Sequence, residues 1–300
     1  MNKPIDYNFA LIDKYIIFKI SKEYGLTNVI MVPFVGVGEK IYSVSVLSDT
    51  SPKSVILSDQ GIFFVKQIPW YARNKALFHD KMEFLYYLEL HKIPTPHLII
   101  TSKGDKYTEI DENLYYLTTL MQNHGVNYND SIALSLGKNL AKLHLTSFEY
   151  SKNNTGNYHT ENIIESCLKL SELISPDEVK AVKNYLKQIS LFEYEELKFL
   201  VHGDINPSNI IFSKNSVSGF IDFDNMILDN PVRDFAELIV TFTFLKYYQN
   251  TSNIEGVNEK LDENLLSCII NNYKQTAPNI FIKFKHLILP AVKIIFLELF

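Results

Sequence analysis

Two short polar stretches limit this chain more than any other feature of its sequence. The first, HGDINPSNIIF, begins at His202, and the second, IDFDN, begins at Ile221. Each places acidic or amide side chains beside a run of apolar, strand-forming residues. A hairpin of NIIF against GFIDF, joined by the polar turn SKNSVS, brings Asn209 and Asp222 to the same end. Asp204, on the preceding loop, is then expected to face the same cavity.

Two carboxylates and an amide around one point suit a divalent cation that prefers oxygen ligands. Magnesium takes six oxygens in octahedral geometry, usually from one or two carboxylates together with phosphates. Asp222 also follows an apolar run, where an unpaired carboxylate would be costly to bury. The sequence therefore predicts a magnesium site at the end of this hairpin.

Composition narrows the class of protein. With 300 residues, 46% of them apolar, the chain can form one large domain or two lobes. A net charge of -5 and only two arginines, Arg73 and Arg233, argue against a nucleic-acid partner. The N-terminus lacks the apolar core of a signal peptide, and the most apolar tail is interrupted by Pro290, Lys293 and Glu298. We expect a soluble, cytoplasmic protein without a membrane partner.

The pattern of apolar residues changes along the chain. Strand patterns dominate early, with VIMVPFVGVGEKIYSVSVLS predicting a hairpin around a glycine-bearing turn and GIFFVKQIP a further strand. NKALFHDKMEFLYYLELHKI has helical spacing, and LIITSKGDKYTEIDENLYYLTTLM predicts two more strands. From about residue 130 the segments are mostly helical, beginning with SIALSLGKNLAKLHLTSF. This order predicts an α+β chain with an N-terminal lobe at 1–122 and a C-terminal lobe at 123–300.

HGDINPSN followed by IDFD resembles the signature of the aminoglycoside phosphotransferase and choline kinase family, which includes homoserine kinase-like members. KEYGL, GVGEKIY, FFVKQ, MEFLYYLELHKIPTP, LTTLM and LGKNLAKLH occur in the order expected for that family, so the resemblance covers most of the chain. It implies a two-lobed, protein-kinase-like fold. An antiparallel sheet with one helix would bind the nucleotide, and a mainly helical lobe would carry the catalytic and substrate-binding residues.

The resemblance also implies roles for individual residues. Asp204 is the expected catalytic base, and Asn209 and Asp222 are the expected Mg²⁺ ligands. The expected nucleotide-binding set comprises Gly36 and Gly38 in the glycine turn, Lys66 on the α- and β-phosphates, Glu83 holding Lys66, and the backbone of Leu120 and Met121 at the adenine. Asp80 and Glu89 are alternatives to Glu83.

The implied activity is transfer of the γ-phosphoryl group from ATP or GTP to a hydroxyl of a small polar molecule. An amino alcohol, an amino sugar or an aminoglycoside is favoured, because Asp224, Asp229, Asp234 and Glu237 could attract an amine. A solvated acidic loop would explain the same acids. Asp224 itself could be a contact behind the metal ligands, a substrate contact or a helix cap. Asp234, beside Arg233, is expected to brace the loop near the metal aspartate.

Two other readings of the sequence compete with this one. A protein kinase is disfavoured, because IDFDN lacks the glycine that follows the metal aspartate in protein kinases, and MILDNPVRDF enters a helix without an activation segment. The glycine turn also has two glycines where protein kinases have three. The remaining alternative is a non-catalytic, spore-coat-like structural protein of the same fold, which the presence of the base and metal residues disfavours.

Overall fold

A computed structural model of the chain describes residues 12–32, 52–68, 74–121, 129–154, 196–247, 254–257 and 262–298. The described residues up to 121 form an antiparallel sheet and two helices. Those from 129 onward contain more helix than strand, and their strands form short pairs. The predicted α+β class is therefore confirmed.

Among the described residues, the N-terminal sheet has six strands in the order β1-β2-β3-β6-β4, with β5 paired to β6. Its strands are β1 (Ile30–Val32), β2 (Lys53–Ser58), β3 (Gly61–Gln67), β4 (Leu98–Ile99), β5 (Thr108–Ile110) and β6 (Asn113–Thr119). Two helices pack against it, α1 (Lys14–Glu23) and α2 (Lys75–Leu90). Because side chains alternate along a strand, the two helices cover opposite faces: α1 covers the face of Phe63 and Val65, and α2 covers the face of Tyr116, which pairs with Lys66.

The predicted glycine-turn hairpin is described only at its start. Within that segment the structure describes β1, which pairs with β2 so that Val32 lies opposite Val55. Gly36 and Gly38 lie outside the described residues. The other predicted strand, GIFFVKQ, is confirmed as β3.

The C-terminal part surrounds the long helix α3 (Asp130–Asn153). The other α-helices in the described part of the chain are α4 (Val232–Ile239), α5 (Glu263–Thr276), α6 (Pro278–Phe284) and α7 (Ile288–Glu298). Short antiparallel pairs join β7 (Phe199–Val201) to β10 (Ile227–Asp229), β8 (Ile210–Ser213) to β9 (Ser216–Phe220), and β11 (Leu245–Tyr247) to β12 (Ile254–Val257). Gly137 lets α3 approach α5 closely, since a Cβ there would lie 2.3 Å from the Ile269 carbonyl oxygen.

Local sequence explains where α2 and α3 begin. Asn74 caps α2 by accepting from the amides of Ala76 and Leu77, and Asn129 caps α3 by accepting from the amide of Ile132. Along the described segments, every helix is too short or too polar to cross a bilayer.

Candidate active site

The loop between β7 and β8 carries Asp204, and side-chain amides surround its carboxylate. Asp204 Oδ1 accepts from Asn206 Nδ2 at 2.6 Å. Oδ2 accepts from Asn209 Nδ2 at 2.9 Å and from Asn225 Nδ2 at 3.2 Å. These bonds fix the orientation of a carboxylate that remains partly exposed on the loop.

Asp234, fully buried in the first turn of α4, holds the backbone of this loop. Its Oδ1 accepts from the Gly203 amide at 2.8 Å, and its Oδ2 accepts from the His202 amide at 2.8 Å and from His144 Nε2 at 3.1 Å. His144 Nδ1 in turn lies 2.6 Å from the Tyr273 hydroxyl. Burial alone would raise the pKa of Asp234, but the hydrogen bonds from His144 and Gly203, with the nearby His144 and His202 rings, lower that pKa below its ordinary value. The expected bracing role of Asp234 thus corresponds to three observed bonds.

Gly203 is required by the geometry of the loop. Its φ of 77° lies in the left-handed region, and a Cβ would lie 2.3 Å from the Asn225 carbonyl oxygen. The loop therefore packs directly on the 3₁₀ turn Phe223–Asn225 that follows Asp222. This close contact places Asp204 beside the second polar stretch.

The predicted hairpin of NIIF against GFIDF is present as β8 and β9. Ile210 pairs with Phe220, and the Ile221 amide donates to the Asn209 carbonyl oxygen at 2.9 Å. Asn209 and Asp222 therefore lie at the same end, as expected. The turn is tighter than predicted, because Lys214 and Asn215 both have positive φ and close it between Ser213 and Ser216.

Asn209 has a feature that suits a metal ligand. Its Nδ2 donates to Asp204, whereas its Oδ1 is buried and accepts no hydrogen bond from the residues that the structure describes. A buried acceptor without a partner is uncommon in folded proteins and calls for a ligand or a water. Asp222 next to it adopts a left-handed backbone, with φ of 64° and ψ of 60°, which is a sparsely populated conformation often found at functional sites.

Lys66 connects the sheet to this site. It is 2% exposed, and its Nζ lies 2.8 Å from Asp222 Oδ1 and 2.7 Å from Asp224 Oδ2. A lysine this deeply buried needs anionic partners, because desolvation of an isolated ammonium is costly. The structure therefore places Lys66 with the predicted metal aspartate and shows that Asp224 faces the same point.

The prediction for Glu83 is wrong. Glu83 pairs with Lys106 at 2.8 Å and lies 3.7 Å from His79, beside a separate polar cavity. The helical phase of α2 is the reason: Lys81 and Leu85 share the face turned toward the site, and Glu83 is about 200° around the helix from Lys81. Lys81 Nζ donates to the Asp224 carbonyl oxygen. The alternative acid Glu89 is also engaged elsewhere, with His97 and the Leu98 amide.

A cleft between the sheet and the β8–β9 hairpin encloses about 750 Å³ of empty space, part of it open to solvent. The described residues that line the cleft include predicted site residues, namely Lys66, Leu120, Met121 and Asp222. The Leu120 amide donates to the Ile62 carbonyl oxygen at 3.4 Å.

Sequence reasoning missed Lys53, which lines the same cleft. Lys53 lies opposite Lys66 in the β2–β3 register, and the two are 6% and 2% exposed. Like charges placed directly opposite each other in a sheet are unfavourable unless anions offset them. The alternation of strand side chains could have indicated Lys53, because its register with Lys66 places both on one face.

Burial is the largest cause of the pKa shifts of Lys81 and Glu237 near the site. Burial lowers the pKa of Lys81, with nearby Asp224 opposing this and Lys66 adding to it. Glu237, half-buried beneath the loop, accepts from the Ile205 amide at 2.8 Å. Burial, then repulsion from Asp204 and Asp234, raises the pKa of Glu237 well above its ordinary value.

The described antiparallel sheet and helical part, with the Asp204 loop and the neighbouring Asn209 and Asp222, match the arrangement expected of a kinase-like phosphotransferase. The family model of the phosphotransferase enzyme family (APH) matches residues 46–251, which is more than half of the chain. The chain belongs to this family and is an enzyme of the small-molecule kinase class, in which an alcohol group accepts the phosphoryl group.

Solved structures share the fold. An amicoumacin kinase, hAmiN, in complex with AMP-PNP, Ca²⁺ and Ami is similar with a TM-score of 0.62 and 16% identity, covering 93% of this chain and 85% of that one. A microcompartment-associated aminopropanol kinase matches with a TM-score of 0.59 and 11% identity, covering 93% and 89%. Spectinomycin phosphotransferase APH(9)-Ia, in complex with ADP and its substrate, matches with 0.53 and 15%, covering 98% of each chain. No curated protein sequence matches the chain.

Proposed function

We propose that this protein transfers the γ-phosphoryl group of ATP to a hydroxyl of a small polar metabolite, with Asp204 as the catalytic base. One observation carries the proposal: Asp204 accepts from Asn209, whose Oδ1 is buried and has no hydrogen-bond partner among the described residues. Asp222, which pairs with Lys66, lies at the same end of the hairpin as Asn209. Phosphoryl transfer depends mainly on positioning and on neutralising phosphate charge. The neighbouring carboxylates, the buried amide oxygen and the buried lysine support this proposal.

The donor set fits magnesium. Asn209 offers an unused amide oxygen and Asp222 a carboxylate, and both are hard oxygen ligands. We propose that these two residues hold Mg²⁺, which when bound would offset the charge of the β- and γ-phosphates. Lys66 would then leave Asp222 for the α- and β-phosphates, and Lys53 would meet the phosphates from the opposite strand.

The chain's own residues account for the proton transfer. The substrate hydroxyl would donate to the Asp204 carboxylate, which would take its proton as the new oxygen–phosphorus bond forms and the bond to the β-phosphate oxygen breaks. Bonds from Asn206, Asn209 and Asn225 fix the orientation of that carboxylate. ADP leaves, and the phosphorylated alcohol carries the transferred group.

The adenine would lie against the segment after β6. We propose that the Leu120 carbonyl and the Met121 backbone meet the adenine edge, since the Leu120 amide already donates to Ile62. Gly36 and Gly38 remain proposed phosphate-loop residues. The proposed lobes are residues 1–122 for the nucleotide and 123–300 for catalysis and substrate.

For the acceptor, we propose an amino alcohol, an amino sugar or an aminoglycoside. Support comes from the amine-bearing substrates named for structural relatives, an aminopropanol and spectinomycin. The acids after Asp222 contribute less than the sequence suggested. Asp229 and Asp234 are fully buried, with Asp229 lying 3.5 Å from Arg233 and Asp234 holding the loop, and Asp224 pairs with Lys66.

The test is a thermal-shift titration with magnesium and ATP, then GTP, on wild type, Asp204→Ala and Asp222→Ala. A ligand at a hundredfold excess over its dissociation constant stabilises the folded state by about 2.7 kcal/mol. Wild type and Asp204→Ala should both shift, because the base does not hold the nucleotide, whereas Asp222→Ala should lose the magnesium-dependent part.

Turnover is then measured by transfer of labelled phosphate to a panel of amino alcohols, amino sugars and aminoglycosides. Asp204→Ala should transfer no label to the acceptor that wild type uses. Undiminished turnover in this variant would remove Asp204 as the base. A wild type that shifts with neither nucleotide would favour the non-catalytic, spore-coat-like alternative.

A further inference from the structure

The acid paired with Lys66 differs from the one that the sequence predicts. An acid from α2 was expected to hold the lysine, but Asp224 Oδ2 lies 2.7 Å from Lys66 Nζ. The two side chains are only 2% and 15% exposed. A pair this well buried is shielded from the salt screening and competing water that weaken surface ion pairs.

Helix α2 presents a cation to this position. Lys81 and Leu85, four residues apart, face the site, and Glu83 is paired with Lys106 on another side of the helix. Lys81 donates to the carbonyl oxygen of Asp224. The lysine of α2 thereby fixes the backbone of the residue that pairs with Lys66.

Asp222 alone would not hold Lys66 in position, because the proposed function assigns the Asp222 carboxylate to the metal ion. If Asp222 held the metal, its charge would be shared with the cation, and Lys66 would need a second anion to stay in place. Asp224 supplies that anion two residues further on, through a 3₁₀ turn that packs against Gly203.

We infer that Asp224 is the positioning residue for Lys66, acting where an acid of α2 was expected, with Lys81 holding the Asp224 backbone. This inference rests on the proposed function, since it assigns Lys66 to the nucleotide phosphates. Among the roles open to Asp224, the inference favours a contact behind the metal ligands over a substrate contact or a helix cap.

The experiment compares binding of magnesium–AMP-PNP with binding of adenosine by isothermal titration. Lys66 meets phosphates and not the base, so Asp224→Asn should weaken AMP-PNP binding about tenfold or more and leave adenosine within about twofold. Glu83→Gln should leave both affinities within about twofold. On a Lys66→Met background, Asp224→Asn should add less than about twofold, because the aspartate acts through that lysine.

Failure of the proposed function and failure of the inference about Asp224 give different binding results. If wild type binds neither adenosine nor AMP-PNP, the proposed function fails and the inference fails with it. If wild type binds both, the inference alone fails in three cases: Asp224→Asn binds AMP-PNP as wild type does, it loses adenosine equally, or its full effect persists without Lys66.

Lys81→Met keeps the inference testable if Asp224→Asn does not fold. It removes the bond to the Asp224 carbonyl and leaves the Lys66–Asp224 pair chemically intact. AMP-PNP binding should weaken about threefold, with adenosine unchanged. Equal AMP-PNP affinity in Lys81→Met and wild type would overturn the inference.

Discussion

Asp234→Asn tests whether one buried carboxylate holds the loop of Asp204. The carboxylate accepts three hydrogen bonds, from the amides of His202 and Gly203 and from His144. An asparagine of the same shape replaces one oxygen with an NH₂ group, which cannot accept. In its less costly orientation the NH₂ group faces the Gly203 amide, and the remaining oxygen keeps the other two bonds.

The cost follows from these bonds. One buried amide without an acceptor costs about 1–3 kcal/mol, and two bonds that lose their charged partner weaken by about 1 kcal/mol each. Asp234→Asn should therefore lower the free energy of unfolding by about 3–5 kcal/mol at pH 7. The lowered pKa agrees in sign: the stabilisation by Asp234 is present above about pH 3.9, the ordinary pKa, and is lost as pH falls through the folded pKa.

The assay is urea unfolding followed by circular dichroism at pH 7, with linear extrapolation to zero denaturant. The matched control is Asp105→Asn, at an exposed position, which should change the unfolding free energy by no more than about 0.5 kcal/mol. A loss below about 1 kcal/mol for Asp234→Asn would refute the view that these bonds hold the loop.

Two further changes probe the same loop. Gly203→Ala puts alanine at φ 77°, which costs about 1–2 kcal/mol, and sets its Cβ against the Asn225 carbonyl. Urea unfolding should show a loss of at least about 2 kcal/mol together with loss of turnover, and wild-type stability would contradict the described contact. Glu237→Gln keeps an acceptor for the Ile205 amide but cannot ionise. Because the folded pKa of Glu237 is raised, wild-type stability should fall as pH rises from about 4.3 toward that folded pKa. The variant should lack this part of the decline and melt higher than wild type at pH 8, and parallel melting profiles from pH 5 to 8 would contradict the raised pKa.

The β8–β9 hairpin could be predicted from sequence because its information is local. Apolar runs on either side of a polar turn fix the pairing, and the residues just outside the strands then meet at one end. Asn209 and Asp222 follow from this register. The tight turn at Lys214 and Asn215 was missed, because neither is the glycine that usually marks two positive φ values.

The partner of Lys66 could not be predicted in the same way. Helical spacing predicted α2 correctly, but α2 buries residues on more than one side, including Phe78, Phe84 and Leu88. Periodicity gives the phase of a helix only when one face is buried. Whether Lys81 or Glu83 faced the site thus depended on tertiary packing.

The buried bonds of Asp234 are equally non-local. His144 and Tyr273 are separated by 129 residues, and each looks like an ordinary core side chain in the sequence. Only packing of α3 against α5 brings them together beneath the loop. The sequence indicated that Asp234 braces a loop, but not which groups it would bind.

The charges at the site explain why nucleotide binding should depend on magnesium. Lys66 Nζ lies 2.8 Å from Asp222 Oδ1 and 2.7 Å from Asp224 Oδ2, and Lys81 donates to the Asp224 carbonyl oxygen. Lys66 is already engaged by these two acids, so a triphosphate without a cation must compete with carboxylates for the lysine that it needs. A divalent ion on Asn209 and Asp222, as proposed, would remove one of these two competitors, Asp222, and leave Lys66 with Asp224. In the proposed function, the ion pair between Lys66 and Asp222 and the buried oxygen of Asn209 would both serve the joint binding of metal and nucleotide.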